Sequence, residues 1–127
     1  MTRDDLTCLI IEDSLSTRMI LCKAMEELGF TVGEAENGQV ALEILDGGAA
    51  FALALVDWNM PVMNGLQFVR ELQNRDEHRA MRLLMCTTRG ELSEMLEALD
   101  TGANDYLIKP FSQEELQEKL RLLGFSL

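Results

Sequence analysis

The sequence predicts an α/β fold: five parallel strands doubly wound by five helices. Three observations predict it. Short β-branched or apolar runs alternate with amphipathic segments, the connections between them are short, and several of the runs end in a polar residue. Thr7 to Ile11 reads as a buried strand, followed at once by Glu12-Asp13. Ser14 is placed to cap a helix in which Leu15, Met19, Cys22, Met25 and Leu28 recur at helical spacing, with Gly29 as its stop. Thr31 to Ala35 reads as the second strand. Asn37-Gly38 opens a helix carrying Val40, Ala41, Ile44 and Leu45, closed by Gly47-Gly48. Phe51 to Val56 is apolar throughout, as expected of a strand covered on both faces, and it runs into Asp57. A loop with Pro61 and Asn64-Gly65 leads to a helix through Leu66, Val69 and Leu72. The polar stretch Asn74 to Arg79 reads as a surface loop with His78 facing solvent. Met81 to Cys86 is the fourth strand, ending at Thr87-Thr88, and Leu92, Met95, Leu96 and Leu99 mark the fourth helix, with Gly102 at its exit. Tyr106 to Ile108 is the last strand, ending at Lys109-Pro110. Ser112 then caps a helix that turns Leu116, Leu120 and Leu123 inward.

The 127 residues fit one domain. A formal net charge of −11 argues against nucleic acid or an anionic membrane surface as partner, because both call for a basic footprint. Cys8, Cys22 and Cys86 lie far apart in apolar surroundings without metal-ligand spacing, which points to reduced, buried thiols. The N-terminus lacks a signal-peptide layout, and no apolar stretch approaches the ~18 residues that span a bilayer, so a cytoplasmic location is expected. The methionines fall mostly at core-type positions, with Met60 and Met63 expected along the polar rim and Trp58 at its edge.

In open parallel sheets, ligands bind beyond the carboxyl ends of the strands. Glu12-Asp13, Asp57, Thr87 and Lys109 all stand at such ends and are expected on one rim. Converging carboxylates repel unless a cation compensates them, and oxygen donors without His or Cys suit a hard ion such as magnesium. Lys109 supplies a mobile positive charge and Thr87 a hydroxyl donor. An Asp carboxylate can itself attack phosphorus to give an acyl phosphate.

Glu12-Asp13, Asp57-Trp58-Asn59-Met60-Pro61 with Asn64-Gly65, Thr87, and Asp105-Tyr106-Leu107-Ile108-Lys109-Pro110-Phe111 together resemble the signature of response-regulator receiver domains, most closely the chemotaxis-type single-domain regulators. The resemblance covers essentially the whole chain. It implies a flavodoxin-like sheet of order 2-1-3-4-5 and one receiver domain over residues 1–127 with no output domain. It implies a two-component signalling switch in which Asp57 takes a phosphoryl group from a histidine kinase or phosphotransfer protein. Asp13, Asp57 and the Asn59 carbonyl would bind magnesium, with Glu12 acting through metal-bound water. Lys109 would contact the phosphoryl group, Thr87 and Tyr106 would form the coupled switch, and the Lys109-Pro110 bond would be cis. Downstream partners are expected on the face of the fourth helix, fifth strand and fifth helix. Asn59, Thr88 and Arg89 occupy positions expected to tune dephosphorylation. Thr88 departs from the small Ala or Ser usual there, and Glu12 stands where Asp is also common.

Two other functions compete. A phosphatase with an aspartyl nucleophile wants a second Asp two residues on as general acid, where this chain has Asn59. A degenerate receiver that binds partners without phosphorylation is disfavoured by the presence of every pocket group. The expected role is therefore that of a phosphoacceptor, not an enzyme in its own right.

Overall fold

The computed structural model describes residues 6–127, apart from the side chain of Arg89. Its strands are β1 (Thr7–Ile11), β2 (Thr31–Ala35), β3 (Leu53–Asp57), β4 (Arg82–Thr87) and β5 (Asp105–Ile108). Its helices are α1 (Leu15–Glu27), α2 (Gly38–Asp46), α3 (Gly65–Leu72), α4 (Leu92–Thr101) and α5 (Gln113–Leu122). The strands form one parallel sheet of order β2-β1-β3-β4-β5. Single 3-10 turns occupy Asp76–His78 and Arg89–Glu91.

The expected caps form. Ser14, Asn37, Asn64 and Ser112 each accept from a backbone N–H in the first turn of α1, α2, α3 and α5. Asn64 with Gln67 and Ser112 with Glu115 close full capping boxes.

Alternation along the strands divides the apolar residues between two cores, one on each face of the sheet. Leu9, Ile11, Ala54, Val56, Leu83 and Met85 face α2, α3 and α4, where they meet Leu42, Phe68, Val69 and Met95. Cys8, Ile10, Leu53, Leu55, Leu84 and Cys86 face α1 and α5, meeting Met25, Leu116 and Leu120. Every residue of β3 is buried, as its unbroken apolar run predicts, although the strand begins at Leu53, with Phe51 and Ala52 ahead of it.

Several expectations need correction. In α1 the inward residues are Leu21 and Met25, while Leu15 and Met19 are exposed with Ile20. This helix is apolar on several sides, so spacing alone did not fix its buried stripe. Leu96 of α4 is also exposed, and Ala98 packs in its stead. His78 is half-buried, with its ring Nε2 3.3 Å from the Leu45 carbonyl. Cys8 and Cys86 are buried as expected, but Cys22 is only half-buried.

Candidate functional site

The carboxyl ends of β1 and β3 deliver Glu12, Asp13 and Asp57 to one rim, where each offers a carboxylate oxygen within 4.8 Å of the others. Glu12 and Asp57 are buried and Asp13 is exposed. Two features fix the positions of the acids. The Glu12 carbonyl accepts from Arg18 Nη1 at 2.7 Å, while Arg18 Nε donates to Glu34 at 3.0 Å. Gly65 brings the start of α3 against the β3 end: a Cβ there would stand 3.1 Å from both the Asp57 carbonyl oxygen and the Trp58 Cα. The Gly65 N–H donates to the Trp58 carbonyl at 2.9 Å.

Lys109, one residue beyond β5, reaches into this cluster. Its Nζ donates to Asp57 Oδ1 at 2.5 Å and lies 3.5 Å from Glu12 Oε1. The Lys109-Pro110 peptide bond is cis. Burial disfavours the ammonium, but the carboxylates of Asp57 and Glu12 outweigh it and hold the Lys109 pKa above its ordinary value. Glu12 moves the other way from a paired acid. Burial, the Asp13 hydrogen bond and the Asp57 charge raise its pKa to about 7, with Lys109 opposing them. The rim therefore carries more negative charge than one lysine compensates. Three oxygen acids this close suit a hard divalent cation.

Thr87 ends β4 and is buried. Its hydroxyl donates towards the Thr88 carbonyl at 3.2 Å and Glu91 Oε1 at 3.3 Å. Tyr106 is half-buried against the α2–α3–α4 core, with Lys119 Nζ 5.0 Å from its ring centroid and 3.0 Å from Asp105. Asn59 and Thr88 are exposed. The side chain of Arg89 lies outside the described residues.

Three expected rim residues lie elsewhere. Trp58 is buried in the core under α4, and its indole N–H donates to Glu94 Oε2 at 2.9 Å. Met60 belongs to the same core, and Met63 packs over Gly38 at the start of α2. Sequence reasoning passed over Arg18, Glu91 and Glu94, which read as ordinary charges on helix surfaces. Only Glu91 carried a local signal, because Thr88-Arg89-Gly90-Glu91 has the Ser/Thr-x-x-Glu spacing of a capping box.

This sheet, with three acids, a lysine and a hydroxyl at its carboxyl edge, defines a phosphorylation-dependent receiver module. The chain belongs to the response regulator receiver domain family, whose model matches residues 8–121. It is 38% identical over 116 residues to chemotaxis protein CheY1 of Helicobacter pylori, covering 91% of this chain and 94% of that one. The solved chemotaxis protein CheY4 of Vibrio cholerae superposes with a TM-score of 0.84 at 31% identity, covering 92% of this chain and 97% of the other. The receiver domain of sensor histidine kinase PA1611 from Pseudomonas aeruginosa PAO1 superposes at 0.83 and 26% identity, covering 94% and 98%, and has a magnesium ion coordinated in its active-site cleft. The chain is thus a response-regulator receiver of the CheY type, a phosphorylation-dependent switch of two-component signalling.

Proposed function

We propose that Asp57 is the phosphoacceptor and that the 127 residues work as a single receiver unit. The carrying observation is the Lys109 ammonium seated on Asp57 within a cluster of three carboxylates. An Asp57 carboxylate oxygen attacks the phosphorus of a phosphohistidine on a kinase or phosphotransfer protein. The new P–O bond forms as the P–N bond breaks, and its electron pair returns to the imidazole nitrogen. Lys109 then exchanges a carboxylate oxygen for a phosphoryl oxygen. Asp13, Asp57 and the Asn59 carbonyl would hold magnesium, and Glu12 would add its charge beside them. When bound, that ion supplies the positive charge that lets crowded carboxylates and phosphoryl oxygens share the rim.

Thr87 donates to the phosphoryl group, and Tyr106 follows into the space its side chain leaves. The readout is the face of α4, β5 and α5, where Leu96 and Leu122 are exposed and downstream proteins dock. We place the protein in the cytoplasm; among the described residues no helix is long and apolar enough to cross a membrane. Hydrolysis of the acyl phosphate resets the switch, and Asn59, Thr88 and Arg89 tune its rate. We read the protein as a phosphoacceptor and not an enzyme with a substrate of its own.

The test is phosphate incorporation from acetyl phosphate with magnesium. Parent protein takes up label, while Asp57→Asn folds and takes up none. Label persisting on the Asn variant removes Asp57 from this role.

A further inference from the structure

The connection from β4 to α4 holds a carboxylate that the receiver chemistry above does not use. Glu91 closes the 3-10 turn and occupies the N-cap position of α4. Its Oε1 accepts from the Thr88 N–H at 3.1 Å and the Thr88 hydroxyl at 2.9 Å, and the Thr87 hydroxyl lies 3.3 Å away, with the Thr88 carbonyl at 3.2 Å as its neutral alternative acceptor. Thr87 is only 1% exposed, so water competes poorly for its proton. One turn further along α4, Glu94 takes the indole N–H of Trp58, the residue next to Asp57. The start of α4 is therefore tied twice to residues at the strand ends, once to Thr87 and Thr88 at the end of β4 and once to Trp58 after β3.

Resting on the reading of Asp57 and Thr87 given above, we propose that Glu91 is a positioning residue that engages the Thr87 hydroxyl in the unphosphorylated protein and so sets how readily the pocket accepts a phosphoryl group. A hydroxyl has one proton to donate. Thr87 cannot give it to Glu91 and to a phosphoryl oxygen on Asp57 together. Activation exchanges one acceptor for the other. Glu91 keeps both Thr88 donors through that exchange, so the carboxylate is not orphaned and the connection stays tied. The pairing of Thr88 with Glu91 also gives a reason for the departure at position 88: a hydroxyl there secures the carboxylate that contends for Thr87.

Competition of this kind makes a signed prediction. Removing Glu91 must strengthen the binding of a phosphoryl mimic, whereas a residue that only builds the turn weakens it or leaves it unchanged on removal. The experiment titrates beryllofluoride with magnesium into the full chain and reads the apparent affinity by fluorine NMR. Glu91→Ala binds roughly three- to tenfold tighter than parent, the scale of one ordinary hydrogen bond, as suits a contact of 3.3 Å. Glu91→Ser, too short to reach Thr87, does the same and serves if the Ala protein folds poorly. Glu91→Gln keeps an acceptor oxygen without the charge and stays within about twofold of parent. In a Thr87→Ala background, Glu91→Ala brings no gain.

Equal tightening by Gln and Ala overturns the proposal in favour of simple charge removal. A gain that survives in the Thr87→Ala background, or no gain in either truncation, overturns it as well. A parent that binds no beryllofluoride overturns the Asp57 reading and this inference with it. A parent that binds normally beside unchanged truncations overturns the inference alone.

Discussion

Val62, three residues before the start of α3 and just beyond Pro61, has a backbone φ of +70°. The Met63 N–H donates to the Pro61 carbonyl at 2.7 Å across it, closing the rarer and strained hand of γ-turn. A β-branched residue there costs about 1–2 kcal/mol, because its Cβ crowds the following carbonyl. Val62 is 78% exposed, so trimming it forfeits only about 0.5 kcal/mol of burial. Val62→Asn, which tolerates this conformation, is therefore expected to stabilise the protein by about 1 kcal/mol, or roughly 3–5 °C in melting temperature for a domain of this size. Val62→Gly relieves more strain but returns about 0.5–1 kcal/mol to the entropy of the unfolded chain, so it falls between Asn and parent. Val62→Thr keeps the branch and should melt with the parent. Thermal unfolding followed by circular dichroism, backed by urea midpoints, ranks the four proteins. Asn and Gly both melting at or below the parent, or Thr rising with Asn, would refute strain at this turn.

Other measurements follow from the rim. Glu12 is a carboxyl whose folded pKa, about 7, lies above its ordinary 4.5, so the folded protein binds the proton more tightly than the unfolded chain does. Stability then falls as pH rises between those values, and Glu12→Gln is expected to be neutral near pH 5 and stabilising by about 1–2 kcal/mol at pH 8 in chelator, after allowance for water reaching the cluster beside exposed Asp13. Denaturant melts across that range check it, and an equal gain at both ends contradicts it. Magnesium at a hundredfold excess over its Kd should add about 2.7 kcal/mol to the parent, less to Asp13→Ala, with reversal by chelator; an unmoved parent argues against the metal site. Trp58 is the only tryptophan, and its indole is hydrogen-bonded to α4. Phosphorylation should change its emission, and Glu94→Ala should shift the resting spectrum and shrink that change, whereas identical traces in the two proteins would separate Trp58 from α4.

Most of the fold was legible because the signals that specify it are local. Strand ends carry polar residues, Ser14, Asn37, Asn64 and Ser112 cap helices, and the β3 run is apolar on both faces. The rim was legible for a related reason: strand direction alone brings Glu12, Asp13, Asp57 and Lys109 together. What failed depended on rotation about a helix axis. Leu15 and Met19 share a helical stripe with Met25, yet Leu21 is the residue that packs beside Met25, and no pattern in a helix apolar on several sides distinguishes them. Trp58, next to Asp57 in sequence with its side chain directed away from that acid, is expected at the edge of the rim, but its indole enters the core under α4. Glu91 and Glu94 matter through partners 4 and 36 residues away in sequence, the second a separation at which surface charge gives no warning.

The close approach at Gly65 has a mechanical consequence. With no room between the first turn of α3 and the main chain of Asp57 and Trp58, that side of the acidic edge is a fixed stop. The opposite side, from Thr87 to Glu94, is fastened by side-chain hydrogen bonds that can be exchanged one at a time. Were a charge to arrive at Asp57, the α3 side would meet it backbone against backbone, whereas the α4 side holds side-chain hydrogen bonds that could be exchanged. Such an asymmetry would rectify the disturbance, turning an electrostatic event without direction of its own into rearrangement on the α4 side.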